Sequence, residues 1–203
     1  GVVSAVDIEI EYKMIDRVER VKFPHTVNIL DRNAMSWDDT RKAAAFVTAK
    51  DPEVLGFAKA LGSEAQASAV LAGDLSLRAA LGIFEGLSLA GLRYVTDPRS
   101  SYAVLSENTK AVDYLQFPAQ TLAYRSGDCD DLSILYCALL ESIGVETAFI
   151  TVPGHIMPAF ALEMDERSAR SLLANPEDAI YLNGKAWLPV EITMVGTSFI
   201  QAW

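Results

Sequence analysis

Arg125-Ser126-Gly127-Asp128-Cys129-Asp130-Asp131-Leu132-Ser133-Ile134-Leu135-Tyr136-Cys137-Ala138-Leu139-Leu140-Glu141-Ser142-Ile143-Gly144 is a polar, glycine-containing turn that runs straight into a helix. Leu132, Leu135, Tyr136, Leu139, Leu140 and Ile143 recur at three- and four-residue spacing, one apolar stripe. Ser126 or Asp128 supplies the cap, Asp130 and Asp131 suit the positive end of the dipole, and Gly144 is a C-terminal stop. Cys129 therefore falls in the first turn, where unpaired N–H groups favour an anion and a thiol pKa is expected to drop. The flanking aspartates oppose that by like-charge repulsion, so a nearby imidazolium or a bound cation is needed to offset them. Buried cysteines are commonly inert, and the helix alone does not decide between the two readings.

The sequence downstream does more. Val145–Val152 is a β-branched run that reads as a strand, Pro153-Gly154 is a turn, and His155–Leu162 is a second strand with the histidine at its mouth. Asn183-Gly184 is a hairpin signal joining 179–182 to a strand over 185–193, on which Glu191 is a carboxylate among apolar residues. A cysteine at a helix start, a histidine on a strand and a carboxylate on its neighbour supply a nucleophile, a base and an orienting group.

Gly127-Asp128-Cys129-Asp130-Asp131, the helix to Gly144, His155 and Trp187-Leu188-Pro189-Val190-Glu191-Ile192-Thr193 together resemble the transglutaminase-like superfamily. Its motifs are a Gly-x-Cys helix start, a strand-borne His and a Trp-x-x-x-Asp-x-Thr strand, and the match spans roughly residues 100–195. The resemblance implies an α+β, papain-like cysteine-protease fold: a helical part plus an antiparallel sheet. It implies Cys129 as nucleophile, His155 as base and Glu191, in place of the usual Asp, as the orienting carboxylate. An oxyanion hole would use the Cys129 N–H and a second donor, for which Gln116, Gln120 and Tyr124 are candidates. The acids flanking the cysteine are also similar to the Gly-Asp-Cys-Glu-Asp of bacterial transglutaminase-like cysteine proteinases, which bind calcium. That likeness implies Asp128, Asp130 and Asp131 as Ca²⁺ ligands, the hard oxygen donors this cation prefers. The chemistry itself needs no other cofactor. The implied activity is hydrolysis of an amide in a protein or peptide substrate. Transfer to an amine in place of water, or a binding module without turnover, are the alternatives.

The rest of the chain frames this core. Its 203 residues suffice for one sizeable domain plus an appendage. A net charge of −10 argues against nucleic-acid or anionic-membrane partners, and no apolar run reaches bilayer length. The opening on Gly1 is expected of a chain trimmed of its leader, placing the protein outside the cytoplasm, with flanking domains on a longer polypeptide. Residues 1–30 read as an N-terminal β appendage, with Val6–Tyr12 alternating and Val18–Phe23 and Thr26–Leu30 as partners. Residues 31–203 form the main domain, its helical part over 51–115 and its catalytic core over 116–195.

Within the helical part, Asp31–Asp39 reads as a polar crossover and Asp51-Pro52-Glu53 opens a helix that Gly62 closes. A second helical region runs from Ser63 to about Tyr94, broken near Gly73-Asp74, with glycines 82, 86 and 91 suited to close packing. Thr96–Arg99 reads as a turn, Glu107–Leu115 as a short helix, and Met164–Leu173 as a helix over the cleft rim. His25, after Pro24, is expected in a connection. Cys129 and Cys137 lie about 12 Å apart along one helix, beyond disulfide reach, so both thiols are expected free.

Overall fold

The computed structural model describes residues 2–67, 73–97 and 111–203, the side chains of 62–67 excepted. The chain divides into two units, Gly1–Ala34 and Met35–Trp203.

The first unit is a two-stranded ribbon, β1 (Val2–Lys13) and β2 (Val18–Ile29), antiparallel with unbroken register from Val2↔Ile29 to Lys13↔Val18. Ile8↔Phe23 and Ile10↔Val21 share one face, while Glu9↔Lys22 and Glu11↔Arg20 carry cross-strand ion pairs on the other. The expected break at Pro24-His25 is absent. The bond from Met14 N–H to Arg17 C=O sets the ladder's alternation, which leaves Pro24 at a position whose missing N–H would have faced outward. A proline there interrupts nothing, and β2 runs through it as one strand instead of two.

Strand β3 (Ala34–Ser36) lies where the second unit begins, within the stretch expected as a polar crossover. A 3₁₀ turn (Thr40–Phe46), capped by Asp39, leads to α1 (Pro52–Ala67). Gly62 does not close this helix. A glycine stop needs a left-handed φ, which Gly91 (80°) and Gly144 (90°) have at the ends of later helices and Gly62 does not. Next come α2 (Leu75–Leu89, capped by Asp74) and β4 (Arg93–Tyr94). Pro98, Arg99 and residues 107–110 of the expected turn and helix lie outside the described residues, whereas 112–114 are a strand, β5 (Val112–Tyr114), paired with β3. Alternation puts Asp113 inward between exposed Val112 and Tyr114, and three residues fixed by a sheet partner cannot also wind.

Pro118–Tyr124 is a helix, α3, and β6 (Ser126–Gly127) pairs in parallel with β4. Helix α4 (Cys129–Ser142) follows, with β7 (Thr147–Val152) and β8 (His155–Asp165) joined by the Pro153-Gly154 turn. The remainder is α5 (Glu166–Leu172), β9 (Ile180–Leu182), β10 (Lys185–Pro189) and the terminal turn α6 (Phe199–Ala202). The principal sheet has the order β7-β8-β10-β9 and is antiparallel throughout, so the unit mixes helices with antiparallel strands.

Helix α4 is buried from Cys129 to Leu140 on every side. Its apolar stripe packs with α2 and the sheet: Phe84, Leu135, Tyr136, Leu139, Phe160 and Leu188 form the main core, and the Tyr136 hydroxyl donates to Ala80 C=O at 2.8 Å. Phe84 meets Phe199 edge-on at 5.6 Å. A second cluster gathers Met35, Trp37, Phe46, Leu115, Ile134 and Ile156 around Cys129. Gly86 lets α1 approach α2, since a Cβ there would stand 2.3 Å from Leu61 Cδ1.

Phe84→Ala should lower the unfolding free energy by about 3–5 kcal/mol in urea titrations followed by tryptophan fluorescence. Ile10→Ala, on the exposed ribbon, should change it by less than about 1 kcal/mol.

Candidate active site

Strand β8 outlasts β10 at the end where His155 lies, and that mismatch builds the site. The β8–β10 ladder ends with Pro189↔Ala159 and the bond from Val190 N–H to Pro158 C=O. Beyond it, the backbone of Ile156 faces away from β7 with no strand to receive it. The first turn of α4 takes that place. Ile156 N–H is aimed at Cys129 Sγ, and the wholly buried Ser133 hydroxyl lies 2.5 Å from Cys129 C=O and 3.3 Å from Ile156 C=O. The cysteine is thus seated against the residue that follows His155.

His155 and Glu191 are joined directly, with Nε2 and Oε2 2.6 Å apart. Glu191 is not on the strand where the sequence reading placed it. The chain leaves β10 after Pro189, and Glu191 caps a 3₁₀ turn (Ile192–Met194). Its N–H donates to Ala202 C=O instead of to β8, because α6 folds back beside it. Its other oxygen, Oε1, accepts from the Thr193 N–H (3.1 Å) and hydroxyl (2.5 Å), so both oxygens are held. With a carboxylate accepting from Nε2–H, the neutral imidazole keeps its lone pair on Nδ1.

The cysteine itself differs from expectation. Burial, then the Asp128 carboxylate, push the Cys129 thiol up to about 12, against the opposing pull of N–H groups from Ile156, Asp130 and its own backbone. The residue is only 5% exposed. Desolvation outweighs the helix terminus here, and the isolated thiol is the stable form. Burial likewise pushes Cys137 up to about 12, and both cysteines are free thiols.

Asp128, Asp130 and Asp131 come together, with one carboxylate oxygen from each within 4.8 Å of the other two, and all three are buried. Buried Asp113, whose Oδ2 accepts from Trp37 Nε1 at 2.7 Å, adds a fourth carboxylate nearby. None of the ion pairs among the described residues involves Asp128, Asp130 or Asp131. Burial, then Asp128, push Asp130 well above the usual carboxylate range. Burial and the neighbouring acids hold Asp131 up at about 7, although its Oδ1 accepts Gln116 N–H at 2.7 Å. Asp128 Oδ1 and Gln116 Oε1 are buried without a partner. Gly127 permits the crowding, since a Cβ there would stand 2.5 Å from Asp131 Cβ.

Of the three candidate oxyanion donors, Gln120 and Tyr124 sit on α3, which packs against α4, and Gln116 lies just before it. Gln120 Oε1 closes the start of its own helix by accepting Phe117 N–H at 2.8 Å, and Tyr124 is 60% exposed. His25 lies in the ribbon of the first unit. Ser133, Asp113 and Ala202 were not singled out in the sequence. A serine inside an apolar helical stripe and an aspartate between two strand formers were the available signals for the first two; a backbone carbonyl at residue 202 leaves none.

No protein-family model matches this chain, and no curated protein does. Among solved structures, a candidate protease from Parabacteroides distasonis superposes with a TM-score of 0.39 and 12% identity over 79% of this chain and 36% of its own. This chain thus spans about a third of that protein's length. Among the described residues, no helix is long and apolar enough to cross a membrane.

A carboxyl whose folded pKa exceeds its unfolded value stabilises the fold while protonated, and that stability is lost as pH rises. For Asp131 the window runs from about 3.8 to about 7. In EGTA, the urea midpoint of the wild type should fall across that window, and Asp131→Asn should flatten the fall.

Proposed function

We propose that this protein is a cysteine-dependent amide hydrolase, a peptidase or amidase, on a transglutaminase-like, papain-like fold. The reading is carried by one observation: a 2.6 Å His155–Glu191 bond, one residue along the strand from the backbone against which Cys129 is seated. Glu191 fixes the tautomer that leaves Nδ1 basic, and Thr193 fixes Glu191. The thiol proton passes to Nδ1 as sulfur attacks the carbonyl carbon of a polypeptide amide. The oxyanion is held by the Cys129 N–H at the helix start, with a second donor from α3. The imidazolium returns its proton to the departing amine, leaving a thioester. Water, deprotonated by His155, then displaces the sulfur and releases the acid. With the lone thiol held up at about 12, thiolate forms only through transfer to the imidazole.

Asp128, Asp130 and Asp131 fit a calcium ion. Their oxygens are hard donors, no described cation pairs with them, Asp128 Oδ1 among them has no partner, and Gln116 Oε1 is a further unmet buried acceptor. A bound ion there supplies positive charge beside the cysteine turn, relieving the repulsion that opposes a thiolate. The implied location is extracytoplasmic, where calcium is abundant and polypeptide substrates are encountered. The burial of the thiol favours one competing reading, a binding module without turnover.

Iodoacetamide should modify Cys129 at least tenfold faster than Cys137 at pH 7, with His155→Ala equalising the two. Equal, slow labelling in the wild type would establish the module reading instead. With a glutamine-containing peptide and excess amine, mass spectrometry should find cleavage or deamidation, whereas an amine adduct would mark acyl transfer. Glu191→Gln should lower kcat/KM by roughly 10²-fold or more. Millimolar Ca²⁺ should raise Tm at pH 7.5, and Asp130→Ala should abolish the increment; an unchanged wild-type Tm removes calcium from the account.

A further inference from the structure

We infer that the outer edge of β7 is a strand-addition site for an extended polypeptide segment, which on the peptidase reading above is a stretch of substrate flanking the cleaved bond. The bond from Ala161 N–H to Glu146 C=O fixes which residues of β7 turn inward. In an antiparallel ladder, hydrogen-bonded pairs alternate. Ala148, Ile150 and Val152 therefore bond to β8, while Thr147, Phe149 and Thr151 direct their N–H and C=O groups outward. Pro158, which lacks an N–H, stands opposite Phe149, where β7 asks for none. Among the described residues, no backbone group is hydrogen-bonded to the outward set.

This edge lacks the usual protection. Natural sheets blunt a free edge with charge, proline, a bulge or brevity. Strand β7 is Thr-Ala-Phe-Ile-Thr-Val, six residues with no charge, no proline and an unbroken register. The opposite edge of the same sheet, β9, is only three residues long, and the ribbon of the first unit carries Glu9, Glu11, Arg20 and Lys22. The bare edge is also walled. Thr40, Arg41 and Ala44 of the 3₁₀ turn and Val47 just after it line one side of a groove of about 390 Å³, with Thr147, Phe149 and Thr151 on the strand side and Glu141 of α4 also in the lining. A wall on the far side admits one added strand and excludes a second sheet, which selects a peptide over another copy of the protein. Alternate side chains of that peptide would meet Ala44 and Val47, so every second residue should be apolar. Val152 at the end of this edge is paired with His155. A peptide seated there lies about 10 Å, two strand spacings, from the strand that carries the base.

The test uses the full chain as Cys129→Ala and the peptide acetyl-Lys-Val-Lys-Val-Lys-Val-Lys-amide as probe, with amide exchange read by NMR. At saturation, exchange at Thr147, Phe149 and Thr151 should slow at least tenfold. N-methylation of the probe at one alternate set of residues should abolish that protection, and Thr151→Pro, which removes a single outward donor, should weaken it. Unchanged rates, protection confined to β1 and β2, or equal protection by both N-methylated probes would overturn the proposal. So would protection that rises with protein concentration alone, which would identify a second copy as the occupant. The readout needs no turnover, so an inactive wild type would count against the peptidase reading and leave this result standing.

Discussion

One unpaired stretch of backbone underlies the candidate site of this molecule. Where β8 runs past the end of β10, Ile156 presents an N–H and a C=O that no strand satisfies, and an unmet buried backbone group costs on the order of a hydrogen bond. The start of α4 meets that demand with the sulfur of Cys129 and the hydroxyl of Ser133. Satisfying the backbone and placing a thiol beside the histidine strand are the same event. The packing of α4 against α2 and the sheet then holds the arrangement rigid.

The carboxylate cluster sits under tension because of the same docking. Burying the first turn carries Asp130 and Asp131 inward with Cys129, next to Asp128 and Asp113. Asp128, Asp130 and Asp131, with no described cation paired to them, can settle by taking up protons or by gathering around a metal ion. The raised pKa values of Asp130 and Asp131 describe the first outcome, and the unpartnered oxygens of Asp128 and Gln116 describe room for the second. Either way, the charge beside the thiol is set by what neutralises these aspartates, which ties Cys129 and the acidic cluster into one electrostatic unit.

The sequence legibly carried the helix at Cys129, the two strands after it and the Asn183-Gly184 hairpin, since period and turn chemistry act over a few residues. Its misreadings have a common cause. Gly62 looked like a stop and Pro24 like a break, yet each effect depends on conformation or ladder position: a left-handed φ for the glycine, an inward-facing N–H for the proline. Residues 112–114 looked helical until a partner at 34–36 made them a strand. Cys129 looked activated because the helix terminus is visible in a sequence and desolvation is not.

Composition, periodicity and capping residues by themselves determined that a buried helix begins at a cysteine among acids and is followed by a histidine strand. Those are local properties, fixed by side-chain chemistry at three- and two-residue spacings. The folded chain alone decided that Glu191 leaves its strand to reach His155, held by Thr193 beside it and by Ala202 eleven residues on. It also decided that the thiol is desolvated and that β7 ends as a bare edge in a groove. These depend on which strand ends first and which element fills the gap, and that is settled only when distant segments compete for the same backbone groups.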